Sequence, residues 1–351
     1  MPRQSKDTVA TLGIDIGKNT FHLVGLNKRG AIVLRQKLSR RQLEARLANL
    51  PPCLIGMEAC SSAHHWAREL NALGHTVKLM PPSYVKPYVK RGKNDVADAE
   101  AICEAVTRPT MRFVPVKSTD QQAVLMLHRT RALLMRQRTM AVNALRGHLA
   151  EFGLVAAQGA KSLAELIESV FEGSGTDDDA VPPLARRALA PLVAQLRQLQ
   201  AQVKAIEVEL LAWHRATDAS RRLETIPGVG FITATAIAAT VTDPSHFTSG
   251  RQFAAWLGLV PRQNSSGGKE RLGSISKMGD RYLRTLLVVG ATSVMRYARS
   301  KNAAGAQWVN ALLARRPARL VSVALANKTA RIIWAVLVRG ETYRTPASAA
   351  V

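Results

Sequence analysis

Apolar residues in the first third of the chain fall into short runs separated by turn residues. The segments LGIDI, TFHLVGL and AIVLRQK, joined by GKN and NKRG, have the length and alternation of three antiparallel strands over residues 11–37. Ser39 is predicted to cap a helix that ends near Leu50. The segment CLIGME predicts a buried strand, SSAHHWARELNAL a helix ending at Gly74, and HTVKLM another strand. The pattern therefore predicts a meander followed by alternating strands and helices.

This order of elements is that of an α/β domain with an RNase H-like fold. The Pro-rich link PPSYVKPYVKRGK leads into a helix that begins near Asp95, and FVPV ends the unit near Val116. We therefore expect an RNase H-like domain over residues 1–116.

The remainder of the chain has the pattern of a helical protein. An Arg-rich stretch from Ser118 to about Leu154 and a second stretch from about Pro183 to His214 carry apolar residues at helical spacing. They predict two long packed helices, which would form a helical coiled-coil region over residues 117–220. Between them, the interval GSGTDDDAVPP predicts a surface loop or a disordered tip.

A third domain is expected over residues 221–340. Its pattern is mainly helical and strongly basic, and a polar loop is predicted from Arg262 to Gly273. The tail over residues 341–351 is predicted to be frayed.

Composition restricts the partners that the chain could have. Its 351 residues are enough for two or three domains. The 49 Lys and Arg against 25 Asp and Glu give a formal net charge of +24, which favours a polyanionic partner such as nucleic acid. A membrane partner is disfavoured, since the Arg residues are spread along the chain rather than gathered beside an apolar anchor.

The cysteines and the N-terminal segment indicate the compartment. Cys53, Cys60 and Cys103 are odd in number and lack CxxC spacing, so neither a disulfide framework nor a zinc site is predicted. The segment MPRQSKDTVATLGIDIG has no apolar core of signal-peptide length. We therefore expect an unsecreted protein of a reducing cytoplasm.

Four carboxylates stand at positions where a metal site could form. Asp15 and Glu58 each end an apolar strand pattern, and a parallel arrangement of those strands would bring them side by side. Asp95 and Asp98 have i, i+3 spacing at the start of a helix and share one face. Four converged carboxylates repel one another unless cations lie between them, so the set predicts Mg²⁺ ions and phosphodiester chemistry.

Each acid also has a simpler interpretation. Asp15 could be a turn residue and Glu58 a solvated strand end. Asp95 could cap its helix, and Asp98 could stabilise the helix dipole. Only the joint pattern of strand, strand and helix carboxylates in a basic chain favours catalysis.

Five segments together carry a family resemblance over almost the whole chain. The segments GIDIGKNTFHLVGL, IGMEACSSAHHWAREL, KNDVADAEAI, LETIPGVG and RQFAAWLGLVPRQNSSGGKERLGSISKMGDRYLRTLLV resemble the DEDD transposases of bacterial insertion sequences, family 110 and its 1111 subgroup. The resemblance implies a RuvC-like first domain whose four acids bind Mg²⁺, matching Asp15, Glu58, Asp95 and Asp98. It also implies a nucleophilic serine in a Ser-Gly loop, matching Ser266, which Ser265 directly precedes.

The resemblance further implies partners and a location. Members of the family recombine donor and target DNA under the guidance of a noncoding bridge RNA. They assemble as homodimers and homotetramers in which the acids of one subunit face the serine of another. A bacterial cytoplasmic protein is therefore expected, acting through a phosphoserine intermediate that conserves the energy of the broken bond. Glycines beside a serine let its backbone approach a phosphate closely, although a polar surface loop would have the same composition.

Basic residues and one glycine motif are candidates for nucleic-acid contacts. The segment IPGVG resembles a helix-hairpin-helix turn in which Gly228 and Gly230 would expose backbone N–H groups to a phosphate; a simple helix-helix turn is the alternative. Solvated helix faces are the alternative for the basic residues. Those predicted to contact phosphates are Arg129, Arg131, Arg136, Arg138, Arg262, Lys269, Arg271, Lys277, Arg281 and Arg284.

Three other functions compete with transposition. A RuvC-like Holliday junction resolvase would need the four acids and not Ser266. A site-specific DNA invertase would use both and differ in substrate arrangement. A non-catalytic nucleic-acid-binding protein would keep the acids for structural reasons.

Overall fold

The computed structural model describes residues 8–90, 94–172, 180–300 and 306–344. The chain divides into two compact units, with the boundary between Ser118 and Thr119. The predicted division into domains over 1–116, 117–220 and 221–340 stays a prediction, because helices of both later parts lie in the second unit.

The first unit is built on a mixed five-stranded sheet in the order β3-β2-β1-β4-β5. β1 pairs antiparallel with β2, and β2 with β3, whereas β1, β4 and β5 run parallel. The order is consistent with an RNase H-like domain. The strands are β1 (Thr11–Ile16), β2 (Thr20–Leu26), β3 (Ile32–Ser39), β4 (Leu54–Glu58) and β5 (Thr76–Met80).

Helices cover both faces of this sheet. They are α1 (Arg40–Ala48), α2 (Ala63–Ala72), α3 (Pro82–Val85) and α4 (Asp95–Ala105). Because strand residues alternate between faces, Leu12 and Ile14 pack with α1 and α2, while Gly13 turns to α4 on the other side. Ser39 caps α1 as predicted, with its backbone N–H donating to Gln42 Oε1 at 3.0 Å.

Long helices begin the second unit, as the apolar spacing predicts. The first elements are α5 (Thr119–Ala150), α6 (Ala160–Glu172) and α7 (Pro183–Ala216), and α5 packs along α7. The helix α6 was not predicted; its buried face joins the same core, through Leu163, Ile167 and Val170. A coiled-coil geometry for this region stays a prediction. Residues 173–179 of the predicted acidic loop lie outside the described residues.

The rest of the second unit is mainly helical. Its elements are α8 (Asp218–Glu224), α9 (Phe231–Thr240), α10 (Gly250–Trp256), β6 (Pro261–Gln263), β7 (Leu272–Ile275), α11 (Arg281–Ser300), α12 (Ala306–Leu313) and α13 (Ala318–Arg339). The prediction of a polar loop from Arg262 to Gly273 was wrong in one respect. This segment contains β6 and β7, which pair as an antiparallel hairpin. Both strands are almost wholly exposed, so no apolar alternation marked them.

Within the described residues, α13 is the one helix long and apolar enough, by length and composition, to cross a membrane. It packs against α10 and α11. Its buried residues Val321, Ala326, Ala330 and Ile333 belong to the core of the second unit, which is the position of a core helix.

Candidate active site

Asp15 and Glu58 lie at neighbouring positions on one face of the sheet. The parallel register pairs Gly13 with Gly56 and Ile14 with Met57, so each acid follows one residue beyond the last pair. Ile14 and Met57 are buried on the opposite face, among α1 and α2. The predicted side-by-side placement of the two strand acids is therefore what the sheet produces.

Two glycines bring α4 close to these acids. A Cβ atom on Gly13 would collide with the carbonyl oxygen of Ala99 and would lie 2.6 Å from the backbone nitrogen of Cys103. A Cβ atom on Gly56 would lie 2.8 Å from Cβ of Val106. Since each glycine stands two residues before an acid, it shares the acid's face. The close approach of α4 thus occurs directly beside Asp15 and Glu58.

The first turn of α4 presents the other two acids. The N-cap is Asn94, whose side-chain oxygen accepts a hydrogen bond from Val96 N at 3.0 Å. The alternative interpretation of Asp95 as the helix cap is therefore wrong, because Asn94 occupies that position. Asp95 and Asp98 both lie in the first helical turn, where carboxylates favour the helix dipole.

The carboxylates interact electrostatically. Burial, followed by the negative charges of Asp98 and Asp95, raises the pKa of Asp15, while His22 acts in the opposite direction. Burial, followed by the charges of Asp15 and Asp98, raises the pKa of Glu58. Uncompensated repulsion of this kind is what a bound cation relieves.

The donor set suits a divalent metal in its chemistry. Four carboxylates offer only oxygen ligands, which Mg²⁺ prefers. In the described part of the chain, however, no three His, Cys, Asp or Glu side chains are grouped closely enough to hold a metal ion. The Asp95 side chain is 63% exposed. The set therefore fits Mg²⁺ by ligand type and charge, and the carboxylates would have to draw together around it.

Sequence reasoning missed His22, which lies beside the acids. It is directly opposite Asp15 in the β1–β2 register and is only 8% exposed. Its Nδ1 lies 3.6 Å from Oδ2 of Asp95. Residues opposite each other in an antiparallel pair share a face, so counting across the GKN turn could have found it.

Cys60 is a second neighbour of the acids that was missed. It is exposed, two residues after Glu58. Partial burial, then the charge of Glu58, raises the pKa of the Cys60 thiol, which leaves it protonated near neutral pH. No sequence signal distinguishes it.

Ser266 lies in the second unit, at the tip of the β6–β7 hairpin. Gly267 and Gly268 have φ of 56° and 76°, and Lys269 N donates to Ser266 O at 3.1 Å. Positive φ at both central positions is typical of a type I′ turn, which needs glycine or asparagine. The neighbouring Ser265 hydroxyl accepts a hydrogen bond from Arg271 N at 3.3 Å.

The predicted basic contacts all lie in the second unit. Arg131 forms an ion pair with Glu207 at 2.6 Å, and Arg284 Nη1 donates to the carbonyl oxygens of Leu257 at 2.9 Å and Met278 at 3.0 Å. Arg138 is partly buried. Contact with nucleic acid stays a prediction for the whole set. Its exposed members are Arg129, Arg136, Arg262, Lys269, Arg271, Lys277 and Arg281.

The IPGVG motif joins α8 to α9, as a helix-hairpin-helix turn would. Gly228 has φ of 82°, and a Cβ atom there would lie 2.9 Å from the carbonyl oxygen of Gly290 in α11. Gly230 is the N-cap of α9, and a Cβ atom on it would meet open space. Close packing therefore explains Gly228 without a ligand, and the phosphate role of both glycines stays a prediction.

A mixed sheet with paired carboxylates at the ends of β1 and β4 is consistent with a DNA-processing enzyme of the RNase H-like class. The model of the DEDD transposases of IS110 matches residues 12–153, and that of the IS116/IS110/IS902 transposase family matches residues 220–306. The chain belongs to the IS110 family of DEDD transposases.

Curated relatives agree with this assignment along almost their whole length. A probable family 20 transposase of Pseudomonas aeruginosa is 49% identical over 337 residues, which cover 96% of this chain and 99% of the relative. The transposase for insertion sequence element IS1328 of Yersinia enterocolitica is 43% identical, covering 95% and 98%. The transposase for insertion sequence element IS1111A of Coxiella burnetii is 41% identical, covering 97% and 93%.

Proposed function

We propose that this transposase exchanges strands of insertion-sequence DNA by Mg²⁺-dependent phosphoryl transfer, with a serine as the nucleophile. The observation that carries the proposal is the placement of Asp15 and Glu58 beside α4, where burial and the charges of neighbouring acids raise the pKa of both carboxyls. Acids with a purely structural role would not require α4 to approach the sheet this closely, and Gly13 and Gly56 permit that approach directly beside Asp15 and Glu58.

Asp15, Glu58, Asp95 and Asp98 are the residues that would hold Mg²⁺. When bound, the metal supplies stabilisation of the charge that develops on a phosphodiester and its leaving oxygen. The chain contributes the negative charges of these four carboxylates. The sheet fixes the positions of Asp15 and Glu58, while the exposed Asp95 carboxylate adjusts to the substrate.

Ser266 is proposed to attack the scissile phosphorus through its Oγ. The new Oγ–P bond forms as the bond to the leaving deoxyribose oxygen breaks; the serine proton passes to solvent and the leaving oxygen gains one. A second hydroxyl then displaces the serine, so no external energy is needed. Support comes from the turn, whose tip is exposed. Ser265 is a poorer candidate, because its hydroxyl is engaged by Arg271 N.

We also propose donor and target DNA and a noncoding bridge RNA as partners. The net charge of +24 and the exposed arginines of α5, Arg129 and Arg136, support binding to the backbones of nucleic acids. A homodimer or homotetramer, with acids of one subunit acting beside Ser266 of another, would unite the two half-sites.

Substitution of the proposed nucleophile tests the mechanism. Purified protein would be incubated with Mg²⁺, its co-purified RNA and paired donor and target DNA. We expect Ser266→Ala to abolish the covalent protein–DNA adduct and strand exchange, Ser265→Ala to retain both, and Asp15→Ala to abolish both. A mixture of the Asp15→Ala and Ser266→Ala proteins should regain activity if the half-sites act between subunits.

Two outcomes would contradict the proposal. Hydrolytic cutting that survives Ser266→Ala would indicate a resolvase-type reaction, and unchanged exchange in Asp15→Ala would remove the carboxylates from the chemistry.

A further inference from the structure

A groove of about 540 Å³ opens in the second unit where β7 ends and α11 begins. Its lining combines cationic and aliphatic side chains. The residues that line it are Ile275, Lys277, Arg281, Arg284, Thr285, Val288 and Val289. We propose that this groove holds one unpaired strand of the DNA substrate at the base of the hairpin that carries Ser266 at its tip. The inference rests on the proposed function for its location relative to the chemistry.

The groove belongs to the same local structure as the serine hairpin. Ile275, in the groove wall, is the last residue of β7, and its Cα partner in β6 is Pro261. The guanidinium of Arg262 donates to Ser276 O at 3.3 Å, which ties β6 to the loop after β7. The groove therefore opens at the base of the hairpin that carries Ser266.

The loop between β7 and α11 packs closely against the end of α10. A Cβ atom on Gly258 would lie 2.6 Å from Met278 N, and one on Gly279 would collide with the carbonyl oxygen of Trp256. These distances show that the backbones of the two segments are in close contact. Close packing of this kind favours a preformed groove, which lowers the cost of ordering a flexible strand upon it.

Lys277 adopts a left-handed backbone conformation that disfavours any residue with a side chain. Its φ is 55°, and its N–H donates to Gly258 O at 3.1 Å. Glycine would satisfy this conformation without strain. Strained residues persist where the surroundings hold them, and they are common at ligand sites. Here the strained position places a cation in the groove.

The cations of the groove have different roles. Arg284 donates to the carbonyl oxygens of Leu257 and Met278, so it braces the loop. Lys277 and Arg281 are exposed, and neither belongs to an ion pair among the described residues. They remain available for phosphates. We therefore assign Lys277 and Arg281 to the strand and Arg284 to the loop.

The aliphatic wall favours an unpaired strand over a duplex. Val289 is 61% exposed, and it faces the groove with Val288 and Ile275. A duplex presents phosphates to such a surface but keeps its bases stacked inside, whereas an unpaired strand offers base and sugar faces as well. Single-strand sites combine a cationic track with a surface for bases. The groove has the size of about one or two nucleotides.

Binding of short fluorescein-labelled oligonucleotides to the full chain tests the proposal. Anisotropy would be measured at a salt concentration that suppresses weak contacts. We expect Lys277→Ala/Arg281→Ala to weaken single-stranded DNA binding by about tenfold. Lys277→Arg should bind as the parent does. Arg296→Ala, on the same helix outside the groove, is the matched control and should change the affinity less than about twofold.

The aliphatic wall has its own test. Val289→Ser should weaken single-stranded DNA binding and leave duplex binding unchanged. Ultraviolet crosslinking of a bromodeoxyuridine strand should label peptides within residues 275–289. Equal loss of duplex and single-strand affinity in Val289→Ser, or an RNA strand of the same sequence binding about tenfold more tightly than DNA, would overturn the assignment.

The proposal for the groove and the proposal for the serine nucleophile can be contradicted independently. Ser266→Ala should bind the strand with full affinity while losing the covalent adduct. If Lys277→Ala/Arg281→Ala binds the strand normally, the groove proposal is wrong whatever Ser266 does. If Ser266→Ala still forms the adduct while the groove variant loses binding, only the proposed nucleophile is wrong. Circular dichroism and the unfolding temperature of each variant show that the fold is retained.

Discussion

Gly13 and Gly56 each stand two residues before a carboxylate of the site, in GID and GME. Gly13 lets the backbone of α4 reach the sheet, and Gly56 leaves room for the side chains of Val106 and Ile102, beside the points where Asp15 and Glu58 emerge. Glycine and acid therefore act together. The glycine sets the distance between α4 and the sheet, and this distance determines how close the acids of α4 come to the acid on the strand.

Substitution of Gly13 tests this role. We expect Gly13→Ala to destabilise the protein by roughly 1–3 kcal/mol, because its Cβ would collide with the Ala99 carbonyl and push α4 outward. Strand exchange should fall at the same time. Gly147→Ala, in open space within α5, is the control and should stabilise by about 0.5–1 kcal/mol. Urea unfolding measures both effects, and a neutral Gly13→Ala would contradict the packing argument.

His128 is a buried polar residue at the centre of the second unit, only 1% exposed. Its Nε2 lies 3.0 Å from Thr235 Oγ1, whose hydroxyl donates to Phe231 O, so Nε2 carries the proton. Its Nδ1 then accepts from the Tyr282 hydroxyl at 3.1 Å. Burial, followed by the charge of Arg131, lowers the pKa of His128 to about 4. The network therefore requires a neutral imidazole.

This network predicts a loss of stability in acid. An unfolded histidine takes up its proton near about pH 6.5, whereas folded His128 does so only near about pH 4. The stability contributed by neutral His128 is thus complete above about pH 6.5 and is lost as the pH falls toward 4, by on the order of 3 kcal/mol. Urea midpoints followed by tryptophan fluorescence at several pH values would measure it.

The matched variant is His128→Gln, which cannot titrate in this range. We expect it to be less stable at neutral pH and to show a flatter pH dependence than the parent. Parallel pH profiles for the two proteins would show that other groups cause the acid sensitivity.

At the scale of elements, the β6–β7 hairpin depends on its turn rather than on a core. Both strands are exposed, and the register is set by Ser266 to Lys269, with positive φ at the two central glycines. A Gly-Gly pair is a recognised hairpin signal, but the flanking residues lack alternating apolar positions, so a loop was the natural expectation.

Substitutions at the two glycines should separate turn geometry from chemistry. Asn tolerates positive φ, so Gly267→Asn should keep adduct formation near the parent level. Gly268→Ala places a Cβ in the left-handed region at a cost of about 1–2 kcal/mol, which should lower turn occupancy and adduct formation by about tenfold. Initial rates of adduct formation check both. Equal rates in the two variants would show that the turn does not present Ser266.

At the scale of the whole molecule, a net charge of +24 makes salt dependence a direct measure of phosphate contacts. Arg129 and Arg136 are exposed on α5, whereas Arg131 between them pairs with Glu207. We therefore expect Arg129 and Arg136 to contact phosphates and Arg131 not to contact them.

We expect Arg129→Ala/Arg136→Ala to reduce the slope of log affinity against log salt for duplex DNA by about 1.8, since each phosphate contact contributes about 0.9. Arg131→Ala should leave the slope unchanged and instead lower the stability, because Glu207 loses its partner. Anisotropy titrations over a potassium chloride series give the slopes. A changed slope for Arg131→Ala would show that its guanidinium reaches the nucleic acid.

Local patterns in the chain were enough to predict the order of strands and helices in the first unit and the long helices α5 and α7. They were also enough to identify the family. These features rest on period, turn residues and motif spacing, which neighbouring residues carry. The pairing of Asp15 with Glu58 also followed, since adjacent parallel strands end at one edge.

Tertiary structure alone decided which residues surround the site. His22 comes close to Asp95 because β2 pairs with β1. Gly13 and Gly56 set the distance between α4 and the sheet. Arg131 pairs with Glu207, 76 positions away in the sequence. The groove at Lys277 likewise depends on packing between α10 and the loop before α11. Such contacts join residues distant in sequence, and their energies depend on distances of a few tenths of an ångström, which no local pattern encodes.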